Sequence, residues 1–385
     1  VTDPQYFSDT PPEDYRVYAY DINTNTRIDE IQAFNLSFGR RLNGTGPCLF
    51  EMFIDTTETS AAAQEIIALD GNPFAAYVEL NGVLQWGGPV WTTSYSKLRG
   101  TLQLGGNDWF SYLDQRTQAK GYDTGAAFTP PAFIQQVIAD MQDPSQNPGA
   151  SIGLQVASIL NTSHPTMVPN YPASQRTTVA QMVTDMTQIV LPAVGGVDFT
   201  LNSSWSGGTT GFPVNTLTIW TPRAGRQGSQ SSFLVDLDNV IDFTWPTDAS
   251  KMGTSITLTG GGTGAKMLAE TIQSGAPVGG LGQLPRMDKV VNFPGIQSPE
   301  QLAAMNAGVA EQYGSPLITP TVTIPTAGAL GAFAVGDDVR VKASAGDPLF
   351  PYGYDTYWQV VAIDVTVPND GVPEMTLTLN VPPVY

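Results

Sequence analysis

Short runs of alternating apolar and polar residues dominate this chain, and the clearest lie between Tyr77 and Arg116. There Val78, Leu80, Leu84, Trp86, Val90, Leu102 and Leu104 fall on alternating positions within short runs, interrupted by Asn81-Gly82, Gly87-Gly88 and Gly105-Gly106. A period of two marks strands, and Asn-Gly between two such runs marks a tight hairpin. Gly87-Gly88-Pro89 inside an apolar run disfavours a flat sheet and predicts a sharp bend or a bulge. The expected result is a small closed or strongly curved antiparallel sheet.

The same pattern fills the preceding stretch. Alternation from Tyr15, from Ile28 to Phe38 and from Leu49 to Ile54 predicts further strands, with a turn at Asn23-Thr24-Asn25. The run from Thr59 to Leu69 favours one short helix or helical turn, ended by Asp70-Gly71. A first all-β unit therefore spans 15–116, preceded by an extended, proline-containing arm over 1–14.

The period then changes. Phe133, Ile134, Val137, Ile138 and Met141 recur at helical spacing behind Pro130-Pro131, and Val179, Met182, Val183, Met186 and Ile189 do so behind Thr177. Polar, proline-rich loops are expected from Asp143 to Arg176, and two strands, Val197–Leu201 and Thr216–Trp220, are expected around a glycine-rich turn. These features predict an α+β insertion over 117–230. Beyond it the strand pattern returns in a second, discontinuous β unit over 231–385, with strands drawn from 231–259 and 319–381. A Gly-rich loop (260–282) and one helix (298–313) interrupt it, the helix starting at Ser298-Pro299-Glu300 and stopping at Gly314. Trp86, Val90 and Thr101–Leu104 are echoed by Trp358, Val361 and Thr376–Leu379, as two copies of one β unit would require.

Bulk properties narrow the choice of function. A chain of 385 residues has room for about two or three cores. Its 17 basic and 35 acidic residues give a net charge of −18, which argues against general affinity for nucleic acid but suits a surface past which DNA must slide. No apolar run approaches the ~18 residues that span a bilayer, and no signal-peptide pattern opens the sequence, so a soluble protein is expected.

Candidate chemistry is sparse. Cys48 is the only cysteine and His164 the only histidine, which argues against disulfides, common zinc sites and His-based triads. Cys48 sits in a strand-like run and reads as a buried small hydrophobe. Thr259 to Lys266, TGGGTGAK, resembles a phosphate loop only loosely: Ala265 disturbs the spacing, and no Ser or Thr follows Lys266. Asp236, Asp238 and Asp242 suit the solvated side of a strand pair, with calcium as the less favoured alternative. Trp86, Trp91, Trp220 and Trp358 lie within strand patterns, where core packing is commoner than sugar stacking. No catalytic, cofactor-binding or metal-binding residue is assigned.

The sequence resembles the tail-tip or baseplate hub proteins of long-tailed bacteriophages, in particular minor tail proteins of siphophages that infect actinobacteria. The resemblance rests on Leu84-Gln-Trp86-Gly-Gly-Pro-Val90 followed by Leu102 to Arg116, on Asp242-Phe-Thr-Trp245, on the helix Ser298 to Tyr313, and on Phe333-Ala-Val-Gly-Asp337-Asp-Val-Arg-Val341. It implies a mainly β protein, with two antiparallel barrels similar to tail-tube protein and a small α+β domain. It further implies a homotrimeric, non-enzymatic ring in the virion, assembled in the host cytoplasm without inserting into a membrane. The implied partners are a distal tail or tail-tube protein, the tape-measure protein and other minor tail or fibre proteins, and DNA would pass through transiently without specific binding. The alternatives are a virion-associated cell-wall hydrolase, with at least two carboxylates converging in a cleft, and a sugar-binding β protein.

Overall fold

The computed structural model describes residues 13–54, 64–66, 72–118, 120–123, 125–145, 151–191, 194–207, 211–262, 267–273, 284–293, 296 and 298–382. Most of the expected arm over 1–14 and most of the expected helix at 59–69 lie outside them. Residues 64–66 are helical, and Ile66 is buried.

The chain begins with β1 (Tyr15–Tyr20), β2 (Arg27–Ile31), β3 (Phe34–Arg41), β4 (Pro47–Phe53), β5 (Phe74–Leu80), β6 (Val83–Ser96) and β7 (Thr101–Asn107), followed by a short helix, α1 (Phe110–Asp114). The β5–β6 hairpin closes through Asn81 and Gly82, both at positive φ, which is the turn that an Asn-Gly pair favours. Gly87 and Gly88 lie inside the 14-residue β6, and their lack of side chains permits close approach. A Cβ at Gly88 would meet the Asn107 carbonyl oxygen at 2.2 Å, and one at Gly87 would meet Ser203 Oγ at 2.4 Å. The register slips just beyond them, between Val90 and Thr92, so the expected bulge is present.

Next come α2 (Pro130–Gln142), β8 (Gln155–Leu160), α3 (Val179–Thr187), β9 (Asp198–Trp205) and β10 (Pro213–Thr221). Thr129 caps α2 and Thr178 caps α3, each hydroxyl accepting from a backbone N–H three residues on. The rest of the chain supplies β11 (Leu234–Asp236), β12 (Asp242–Thr244), β13 (Thr247–Asp248), β14 (Ser255–Thr259), β15 (Ala269–Gln273), β16 (Asp288–Asn292), α4 (Pro299–Ala304), α5 (Asn306–Tyr313), β17 (Leu317–Ile318), β18 (Thr321–Pro325), β19 (Asp338–Ala343), β20 (Tyr354–Val367) and β21 (Glu374–Asn380).

One 13-stranded sheet collects both ends of the chain. Its first lobe has the order β3-β4-β7-β6-β5-β1-β2 and its second the order β12-β18-β21-β20, with β19 and β11 continuing from β20. The lobes meet where Ala362–Val367 of β20 pair with Leu36–Arg41 of β3. A single hydrophobic core runs beneath the join, including Leu36 and Phe38 on one side and Ile363 and Val365 on the other. The protein is therefore mainly β with an α+β unit, as expected, and among the described residues the pairing joins both lobes in one sheet without showing closure of either into a barrel. The second half of β20 pairs with β21 on one edge and with β3 on the other.

The α+β unit has its own core, into which α2 and α3 bring Phe133, Ile134, Val137, Ile138, Met182, Val183 and Met186. It also takes in segments that the sequence pattern places elsewhere. Strand β14, expected in the second β unit, instead forms a separate sheet of order β15-β14-β16, and its Ile256 and Leu258 enter the α+β core. The helix expected over 298–313 breaks at Met305 into α4 and α5, and Leu302, Met305 and Val309 face that same core rather than the outside of the second lobe. Strand β8 lies within the stretch expected to be proline-rich loop and pairs parallel to β10. Strand β15 lies within the expected Gly-rich loop.

Candidate functional site

The residues singled out for chemistry do not converge. Cys48 is buried in the sheet core, and burial pushes its thiol far above the usual range. His164 is buried in a loop of the α+β unit, where burial lowers its pKa. Asp236 ends β11 and caps the following turn, accepting from the Asp238 amide and from Asn239, while Asp238 and Asp242 are exposed. No group of three His, Cys, Asp or Glu side chains among the described residues could hold a metal. Residues 263–266 of the glycine-rich TGGGTGAK segment lie outside the described residues. Trp86 and Trp358 are buried and donate to the Gly46 carbonyl and the Tyr354 hydroxyl, while Trp91 and Trp220 are half-buried and donate to Ser111 and Thr200. All four indoles are held in place by these hydrogen bonds.

The sheet, in contrast, has an internal order. In sequence, β1, β3, β4, β5, β6 and β7 pair in the spatial order β3-β4-β7-β6-β5-β1. In sequence, β11, β12, β18, β19, β20 and β21 pair in the order β12-β18-β21-β20-β19-β11. The two series match in order, although β11 runs parallel to β19 where β1 runs antiparallel to β5. The long strands β6 and β20 are both 14 residues, both precede a seven-residue partner, and both slip register against it. Both also carry the tryptophans of the sequence echo. The sheet ends at β2, at β12 and, on the branch through β19, at β11, each with one strand partner among the described residues.

The α+β unit is fastened to the two lobes by different chemistry. On the first lobe, β1 and β5 are buried on both faces. Val17, Ala19, Ala76 and Val78 face the sheet core, while Tyr18, Tyr20, Ala75 and Tyr77 pack outward with Trp109 against Leu201 and Trp205. This double burial explains the nearly unbroken apolar runs in β1 and β5. Polar atoms at the contact are matched: Trp205 Nε1 donates to Glu79 at 2.8 Å, and Asn215 donates to the Tyr77 hydroxyl at 3.0 Å.

On the second lobe, the segment Arg223-Ala224-Gly225-Arg226 after β10 lies against Gly336-Asp337-Asp338. Arg223 makes two parallel 2.7 Å bonds to Asp338, with both side chains at least 94% buried (6% and 2% exposed). Arg226 binds Asp337 through its side chain at 2.6 Å and its backbone amide at 2.6 Å. Burial pushes the Asp337 carboxyl up, but these bonds and the Ala334 amide hold it below the ordinary carboxylate range. Gly225 and Gly336 touch backbone to backbone, since a Cβ on Gly225 would lie 2.2 Å from the Gly336 carbonyl carbon. Asp198 of β9 ties this segment to the first lobe: it accepts from Asn43 of that lobe at 2.6 Å and from the Ala224 amide at 2.8 Å. Burial raises its pKa.

Sequence reasoning did not single out this junction. Its signal was present, however: in a chain with 14% charged residues, R-A-G-R and G-D-D place paired charges around glycines.

No protein-family model matches the sequence, and a search of curated proteins finds no match. Solved structures do match over nearly the whole chain. The tail protein from Neisseria meningitidis MC58 aligns with a TM-score of 0.60 at 12% identity, covering 97% of this chain and 98% of its own. The 43 kDa tail protein of prophage MuSo2 from Shewanella oneidensis gives 0.55 at 15% identity, covering 96% and 98%. Prophage tail protein gp18 from Listeria monocytogenes EGD-e gives 0.53 at 13% identity, covering 94% of each chain. From end to end, lobes and α+β unit together, the chain has the fold of phage and prophage tail proteins.

Proposed function

We propose that this protein is the structural hub of a phage tail tip, a ring that continues or closes the tail lumen. The observation that carries the proposal is the repeated strand order: each chain holds two β lobes of matching order already joined edge to edge in one sheet. Three such chains present six similar lobes, which matches a sixfold tube, and closed rotational symmetry is the ordinary route to a ring of identical chains. The open sheet ends at β2 and β12 are where neighbouring copies meet. In this reading each lobe is a tail-tube-like unit, and the α+β unit sits outside as a bracket.

The ring anchors the tube and the tape-measure end on one side, and holds host-contacting tip or fibre proteins on the other. It works without catalysis, in the virion of a phage infecting actinobacteria, after assembly in the host cytoplasm. DNA passes through during ejection, and a net charge of −18 keeps phosphates from adhering to the wall. The solution mass at micromolar concentration tests this directly. The expected value is three times the 41.0 kDa chain, and a strictly monomeric protein under all concentrations would overturn the ring. Duplex DNA in low salt should show no retention by the assembled ring.

A further inference from the structure

Along β3 the side chains of Leu36, Phe38 and Arg40 share one face, because alternate residues of a strand point the same way. Leu36 and Phe38 are buried in the sheet core, and Arg40 emerges half-buried at its end. Its Nε donates to the Gln85 carbonyl at 2.7 Å and one terminal nitrogen donates to Gln85 Oε1. Both acceptors are neutral. The neighbouring Arg41 has Asp364, and the two other arginines of the junction have Asp338 and Asp337, but among the described residues Arg40 has no carboxylate partner. Burial without a compensating charge pulls its pKa down to about 10.

Arg40 borders a cleft of about 450 Å³ where the first lobe, β10 and the loop before β19 meet. Trp220 and Phe333 supply apolar walls, and Arg226 with its partner Asp337 lines the opposite part. With two guanidiniums against one carboxylate, the lining is net positive within a chain of charge −18. A half-buried guanidinium whose remaining N–H groups have no partner among the described residues favours a planar oxyanion that can accept two bonds. A polyanion such as nucleic acid meets strong overall repulsion, whereas a single carboxylate on an apolar stem does not.

We propose that this cleft binds an acidic peptide segment of a partner protein, with the carboxylate on Arg40 and an adjacent apolar side chain between Trp220 and Phe333. The site is complete within one chain, so it does not depend on ring formation.

Calorimetric titration of the full-length protein with N-acetyl-Leu-Glu-Leu-amide tests it, beside the Gln analogue and inorganic phosphate. The Glu peptide should bind at least tenfold more tightly than its Gln analogue, and added salt should weaken it. Arg40→Gln should lose at least tenfold in affinity, and Arg40→Lys, which keeps the charge but not the fork, should lose less. Trp220→Leu, away from the guanidinium, should weaken the Glu and Gln peptides by the same factor. Equal affinity of the two peptides would overturn the proposal, as would undiminished binding by Arg40→Gln. Phosphate binding as tightly as the Glu peptide would replace it with a general anion hole. If Arg40→Gln unfolds, the Arg40→Lys and Trp220→Leu comparisons still decide.

Discussion

The two lobes of the sheet share a strand order yet differ in how they are interrupted and held. In the first lobe a short turn, residues 42–46, joins β3 to β4. In the second, the corresponding β12 and β18 are separated by β13 to β17 and both C-terminal helices, most of which pack into the α+β core. The first lobe therefore meets the α+β unit across an extended aromatic face, and the second meets it through chain connections and a compact ionic clamp. An aromatic face loses stability gradually with each altered contact. A buried ion pair fails abruptly when one partner is removed.

The largest loss of stability is therefore expected at the clamp. Arg223→Ala leaves Asp338 buried beside an unfilled space, which should cost about 3–5 kcal/mol in chemical denaturation. The double change Arg223→Met with Asp338→Leu should recover much of that loss, because replacing both charges removes the stranded one. If the single variant unfolds with the wild-type midpoint, the second lobe is held by something other than these ions.

A smaller effect is expected in the first lobe at Gly88. A methyl there would press on the Asn107 carbonyl, and overpacking against fixed backbone costs roughly 1–3 kcal/mol. Gly100→Ala is the control: nothing lies within 4 Å, but φ is +62°, so only the conformational cost of about 1 kcal/mol applies. Equal midpoints for the two alanine variants would contradict the close approach of β6 to the end of β7.

How much of this was legible in the sequence follows the same division. Local alternation disclosed β5, β6, β7 and the Asn81-Gly82 turn, and helical spacing disclosed α2 and α3, because in those elements burial is set by one face against one core. Strand β8 was hidden because its QVASIL run is mostly exposed and is held by parallel pairing to β10, far away in sequence. Strand β14 was visible as a strand but not by sheet, since Ile256 and Leu258 alternate in the same way whichever core receives them. The clamp was hidden for a related reason: Arg223 and Asp338 are separated by 115 positions, and charges carry no periodicity that reports a partner. Cys48 and Trp86, each in a strand-like run, read as core and are core.

Acid–base behaviour sharpens the contrast between lobes. Asp108, just after β7, is pushed up to about 7 by burial, although the Gly46 and Phe110 amides oppose this. Its folded form holds a proton that the unfolded chain releases near pH 4, so its contribution is full below that value and is lost as pH rises toward 7. Asp337 has the opposite sign: its contribution is present above the unfolded value and is lost as pH falls through its depressed folded one. Between about pH 4 and 7 the unfolding free energy should fall by up to ~1.4 kcal/mol per pH unit from Asp108 alone. Asp108→Asn should flatten that window, and Asp337→Asn should instead flatten the more acidic limb. The same slope in the Asp108 variant as in the wild type would show that the carboxylate stays ionised.

The smallest expected difference compares the paired tryptophans. Trp86→Phe keeps most of the apolar volume but removes a buried bond to the Gly46 carbonyl, which retains only the 2.8 Å bond from the Asp108 amide. Trp358→Phe removes a bond to the Tyr354 hydroxyl, whose half-buried position lets it turn toward water. A bond between buried groups is worth about 1 kcal/mol, and one whose partner can be rehydrated is worth less. Trp86→Phe should therefore lower the denaturation midpoint by more than Trp358→Phe, although the two residues occupy corresponding long strands. If the order is reversed, the aromatic cluster of Phe243, Trp245 and Tyr354, which meets Trp358 through Trp245, contributes more than hydrogen bonding does, and the second lobe is held by its aromatic edge as well as by its ions.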